Sequence, residues 1–205
     1  MAETNGKGSG NGTAAPMGEL LEVVARQTVP LVRGIPDGRL AAATPCSEYD
    51  VRALANHLFH VVVEFTSLAG KGDADFSVTP DRVAEGEWRE RFAGAVAELV
   101  AAWSEPGAED GTTGAMDMPA RTVGGMVLLD LTVHGWDLAR ATGQDFRADE
   151  QVTAVLAETV AGLAPTGRKM GVFGDPVPVP EGADAFGRLL AETGRDPRWA
   201  APAEG

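Results

Sequence analysis

The chain has 205 residues, 44% of them hydrophobic, a formal net charge of −13 and a pI near 4.6. That length suits one domain with tails, and the apolar share is enough for a full core. The acidity and the absence of Lys/Arg clusters exclude a nucleic-acid partner and an anionic membrane surface. With a single Cys, no intramolecular disulfide forms. No apolar run reaches the ~20 residues a membrane span needs, and no basic-then-apolar leader is visible at the N-terminus. The expected location is cytoplasmic.

Residues 1–15 carry almost no apolar side chains and are expected to be a disordered tail. Residues 16–200 form the folded unit, and 201–205 a C-terminal tail. Leu20, Leu21, Val24 and Leu31 recur at helical spacing and place a first helix over about 17–33. Thr44-Pro45-Cys46-Ser47-Glu48-Tyr49-Asp50 turns into a second helix, with Ser47 as the expected N-cap. That helix runs to about Ala69, with Val51, Leu54, Leu58, Val61, Phe65 and Leu68 on its apolar face. A polar loop covers 71–80. Trp88, Phe92, Val96, Leu99 and Trp103 mark a third helix over about 81–103, and Ala115–Pro119 reads as a short extended segment. A fourth helix follows over about 123–142 and stops at Gly143. A fifth is placed over about 148–163, an irregular connection over 164–182, and a short helix over 183–192. The fold class is all-α, an antiparallel four-helix bundle with short additional C-terminal helices.

All three His lie in two of these helices, at 57, 60 and 134. Asp130 and His134 are four apart, so they stack on one helical face and can share one metal ion. They sit in an apolar run, where unpaired polar groups cost roughly 1–3 kcal/mol each. His57, in the apolar stripe of the second helix, is the candidate third ligand. Three protein ligands leave a position open, the pattern of catalytic metal sites. Mixed nitrogen and oxygen donors suit Zn first, and also Ni, Co or Fe. The competing structural reading makes Asp130 and His134 a surface pair and His57 a core histidine. His60 could replace His57, and Glu64 could add a ligand or a base. The blander expectation is a partly exposed His60 and a solvated Glu64. Cys46 lies eleven residues before His57, roughly 16 Å along a continuous helix. It is expected to be buried, inert and out of reach of the metal. Trp136 either lines the pocket or packs in the core. Asp137 and Arg140 are expected to pair on the helix surface, with Arg52 able to join them, and Asn56 is a candidate supporting donor for His57.

The stretch Thr44-Pro45-Cys46-Ser47-Glu48-Tyr49-Asp50-Val51-Arg52-Ala53-Leu54-Ala55-Asn56-His57-Leu58 resembles the first signature of the DinB-like superfamily. In particular it is similar to the metal-binding domain of mycothiol-dependent maleylpyruvate isomerases and their actinobacterial relatives. Val133-His134-Gly135-Trp136-Asp137-Leu138-Ala139-Arg140-Ala141-Thr142-Gly143 resembles that group's second signature. Leu189 to Trp199, containing Thr193-Gly194-Arg195-Asp196-Pro197, is similar to the C-terminal end of a stand-alone group within it. The resemblance spans about residues 17–199. It implies a four-helix bundle binding a divalent metal through His57, Asp130 and His134. It also implies a small thiol cofactor, mycothiol, acting as thiolate on an electrophilic small-molecule substrate in S-transfer or isomerisation. Homodimers are frequent among such relatives. The maleylpyruvate isomerases carry Glu in place of Asp130, and a further C-terminal domain where only about 60 residues follow the second motif here. The resemblance therefore implies the broader thiol-dependent chemistry rather than maleylpyruvate isomerisation itself. Two other readings use the same ligands: a non-catalytic metal sensor or interaction module, whose coordination would be filled, and a hydrolase acting through metal-bound water.

Overall fold

The computed structural model describes residues 14–171 and 173–201. The tails expected at 1–15 and 201–205 fall almost wholly outside the described residues. Six α-helices are present among them: α1 (Met17–Arg33), α2 (Val51–Ala69), α3 (Trp88–Ser104), α4 (Ala120–Thr142), α5 (Glu150–Lys169) and α6 (Ala185–Glu192). A two-residue hairpin pairs Thr112–Thr113 with Met118–Pro119 just ahead of α4. The all-α four-helix bundle expected from the apolar spacing is the observed fold. Among the described residues, no helix is long and apolar enough to cross a membrane.

Side-chain contacts fix the helix directions. Gly18 meets Ser104, and Arg33 pairs with Glu90 at the other end, so α1 and α3 are antiparallel. His57 faces His134, and Leu68 lies against Gly114 just before α4, so α2 and α4 are antiparallel. Met17 packs on Gly124, and Thr28 Oγ1 donates to the Leu131 carbonyl, so α1 and α4 run parallel. Phe59 packs on Phe92, and the Phe65 carbonyl accepts from Trp103 Nε1, so α2 and α3 also run parallel. The order around the bundle is α1, α3, α2, α4, and the chain runs up, down, down, up. Each helix thus has one antiparallel and one parallel neighbour. The parallel α2/α3 pair explains why 70–87 is a long return segment rather than a tight turn.

α4 is the most enclosed helix, because α1, α2 and α5 all pack on it. Seventeen of its residues are buried, His134 and Asp137 among them. Gly135 makes the α1 side possible: a Cβ there would lie 3.0 Å from the Phe146 ring and 3.1 Å from Thr28 Oγ1. His134, about 100° further round the helix, faces α2.

Four boundaries differ from the sequence reading, the simplest being α4, which starts at Ala120 rather than near 123. The cap of α2 is Asp50, whose Oδ1 accepts from the Ala53 amide at 2.7 Å, not Ser47. Residues 43–50 instead form a closed loop, pinned by an Ala43–Asp50 bridge and by Thr44 Oγ1 against the Cys46 and Tyr49 carbonyls. α3 starts at Trp88 rather than near 81, because Glu87 takes a left-handed φ of 56° and breaks the path from the short 3-10 turn at Arg82–Ala84. α5 continues through Pro165 to Lys169, shortening the irregular connection. Pro165 is exposed, so the helix loses one backbone bond on its solvent side while Val160 and Ala164 hold the other side to the core.

Candidate functional site

The site lies between α2 and α4, the antiparallel pair that brings His57 opposite His134. His57, Asp130 and His134 converge, with one donor atom from each lying within 4.8 Å of the others. The imidazoles meet edge to face, with ring centroids 5.1 Å apart. His134 Nε2 is 3.7 Å from Asp130 Oδ1, too long for a hydrogen bond. The three donors surround a common point instead of satisfying one another. That separation argues against the surface-pair reading, and His134 is buried rather than at the surface.

The other face of the His134 ring is held rigidly. Its Nδ1 is 3.0 Å from Asp137 Oδ2, and the Asp137 side chain is wholly buried. A carboxylate partner on one ring nitrogen fixes the tautomer and leaves the other nitrogen's lone pair free, the usual arrangement behind a metal-binding His. Arg195, from the segment after α6, places Nη2 3.4 Å from the same Asp137 oxygen and donates from Nη1 to the Thr193 carbonyl at 2.9 Å. Asp137 and Arg140 therefore do not form the expected surface pair. Asp137 is instead turned inward to His134, while Arg140 reaches the Trp199 carbonyl. Arg52 pairs with Asp81. Trp136 is a core residue at 6% exposure.

Burial sets the charge states. Desolvation, with His134, His60 and Arg195 beside it further disfavouring a charge on the ring, pushes the His57 pKa down to about 4. The ring is neutral near pH 7 and keeps a lone pair for a ligand. Tyr49 stacks on it, centroids 5.3 Å apart and planes 18° from parallel. Burial raises the Asp130 carboxyl above its ordinary value, opposed by His134 and Arg195. A half-buried carboxylate with that penalty and no hydrogen bond among the described residues gains by facing a cation. Two neutral-capable imidazoles and one carboxylate fit a divalent ion of the zinc type.

A cavity of about 510 Å³ opens over this point. Cys46 lines it, contrary to the sequence expectation. The 16 Å separation assumed a helix running through 46, whereas the 43–50 loop folds Cys46 back over the site. Its Sγ lies within 4.8 Å of donor atoms of His134 and Asp137, a second potential donor group. The thiol is half-buried, and burial raises its pKa, with Arg195 opposing. That second group is the poorer one, since it competes with the His134–Asp137 hydrogen bond.

His60 and Glu64 do not join the convergence. His60 is buried, at 4% exposure, rather than partly exposed, and neither ring nitrogen makes a hydrogen bond among the described residues. Glu64 Oε1 is 3.6 Å from its Nδ1, while Glu64 Oε2 accepts from the Asp75 amide at 2.8 Å and anchors the 71–80 loop. Asn56 supports that region too, not His57: it donates to Asp81 and accepts from the Val83 amide. Asp137 and Arg195 are the site residues that spacing did not identify. Each lies in a stretch singled out by resemblance, Asp137 in Val133–Gly143 and Arg195 in Leu189–Trp199, which was the available signal.

Residues 21–139 match the family described as mycothiol maleylpyruvate isomerase N-terminal domain. The chain belongs to that family. It is a DinB-like, mycothiol-related family of metal-binding helical domains. Two uncharacterized proteins of Mycobacterium tuberculosis, one from strain CDC 1551 and one from strain H37Rv, are each 30% identical over 175 residues, covering 82% of this chain and 91% of theirs. No solved structure matches the chain significantly.

Proposed function

We propose that this protein is a metal-dependent enzyme in which His57, Asp130 and His134 hold one divalent ion. Zinc is the first candidate, with Ni, Co or Fe compatible with the donors. A small thiol, mycothiol by family, is the nucleophile toward an electrophilic carbon, in S-transfer or isomerisation. The observation that carries the reading is the convergence of three donors on one point with an open side facing a cavity. A divalent ion there lowers the proton affinity of a bound thiol, so that thiolate is present near neutral pH.

The chain's own residues supply the rest. Asp137 holds the His134 tautomer, and Arg195 bridges Asp137 to the segment after α6. His57 stays neutral and available. The cavity is large enough to hold two small reactants at short range, which lowers the barrier through proximity and orientation. A closed coordination sphere would favour a sensor, but His60 and Glu64 are turned to other work.

The test is metal content by mass spectrometry on protein purified without a His tag, beside His134→Ala, followed by turnover assays with and without thiol. About one equivalent in wild type, lost in the variant, with thiol-dependent turnover, supports the proposal. No metal after incubation with Zn, Ni, Co and Fe refutes it, and thiol-independent hydrolysis moves it to metal-bound water.

A further inference from the structure

The cavity has two chemically different ends, and helix geometry orders them. On α2, His57, Val61 and Phe65 are four apart in succession and share one face. On α4, running the other way, His134, Asp130 and Met126 descend beside them. From the His57 level to the Phe65 level is eight residues, about 12 Å along the axis. The first level carries His57, His134, Tyr49, Cys46 and Arg195; Asp130 and Val61 lie a turn further along; the last level carries Phe65 and Met126.

Phe76 completes the apolar end from the 71–80 loop. Its ring meets Phe65 and His60 edge to face, at 5.8 and 5.7 Å, yet half of it, 51%, remains exposed. The loop that presents it is tied down twice: the Asp75 amide donates to Glu64, and Ser67 Oγ donates to the Asp73 carbonyl. A large ring held in place and left half in water is a surface that a bound apolar group would cover. Arg195 is the single Lys or Arg among the described residues lining the cavity, and it sits at the donor end, engaged with Asp137. Among the described lining residues, no Lys or Arg stands at the far end to meet a second anionic group.

We infer that the substrate is an electrophile with an apolar arm, alkyl or aryl, that lies along Val61, Phe65, Met126 and Phe76 while its reactive carbon sits at the His57–Asp130–His134 end. This rests on the metal reading proposed above and adds a substrate class to it: hydrophobic electrophiles rather than small dicarboxylates.

The probe is a pair of metal-directed hydroxamates, acetohydroxamate and hexanohydroxamate, titrated calorimetrically into the zinc-loaded protein. Each methylene buried tightens binding about fourfold, so the longer probe should bind roughly tenfold or more tightly. Phe76→Ala and Met126→Ala should each shrink that ratio by about threefold or more while leaving acetohydroxamate affinity within about twofold. The unchanged short probe shows that the variants still fold. Equal affinities of the two probes in wild type would overturn the apolar arm while leaving the metal site standing. A longer-probe advantage that both variants retain would overturn its placement. A protein that takes up no zinc would refute the metal reading itself, and this inference with it.

Discussion

Asp137 shows how one residue's direction on a helix decides its chemistry. Its neighbours suggested a surface ion pair with Arg140, yet it is wholly buried and bonded to His134 Nδ1. Carboxylates in that position behind a metal-binding imidazole typically contribute 10- to 100-fold in affinity. Asp137→Asn should therefore weaken zinc binding by about that factor in chelator competition, with helix content unchanged by circular dichroism. Unchanged affinity would show that His134 is oriented by packing alone. His57 gives a second residue-scale expectation, for the metal-free protein. Its folded pKa, about 4, lies below the unfolded value of 6.5. Above pH 6.5 both states are neutral and the ring adds no pH dependence. As pH falls from 6.5 toward 4 the unfolded chain takes the proton first, so stability declines, by up to about 3 kcal/mol below pH 4. NMR titration should find the His57 midpoint near 4, and urea unfolding of His57→Gln should lose part of the acid sensitivity. A midpoint near 6.5 would mean a solvated ring.

At the scale of elements, what was legible in the sequence was what repeats. Helix α1 and the body of α2 and α4 followed from apolar residues three and four apart, as did Asp130 over His134. What was not legible depended on single backbone choices. The left-handed Glu87 moved the start of α3, and the Asp50 cap in place of Ser47 moved the start of α2 by three residues. The second displacement has a chemical consequence, because it releases 43–50 into a loop and brings Cys46 over the cavity. Which donor group holds the metal is then a question about Cys46. Its thiol pKa is raised by burial, while the His57–Asp130–His134 group needs no thiol. Cys46→Ser should keep the full metal equivalent and the thiol-dependent turnover. Metal loss in that variant, with His57→Ala retaining it, would assign the ion to Cys46, His134 and Asp137 instead.

At the scale of the whole molecule, the site is a cross-brace. α2 and α4 come from opposite sides of the α3 crossover, and their contact is built from helices with a long sequence separation between them. An ion held by His57 on one and by Asp130 and His134 on the other binds only the folded bundle, because the unfolded chain does not hold residues 57 and 130 together. Binding to the native state alone stabilises it by RT ln(1 + [L]/Kd), about 2.7 kcal/mol at a hundredfold excess of free metal over Kd. Wild type should therefore unfold at a temperature that rises with zinc concentration. The slope should vanish in His57→Ala and in His134→Ala, although each substitution removes a ligand from a different helix. The Asp130→Glu variant separates a metal effect from a packing effect: it lengthens the carboxylate by one methylene and preserves its charge, so it should retain a zinc-dependent rise. If wild type melts at one temperature across all zinc concentrations, the three side chains do not brace the helices, and their convergence is packing alone.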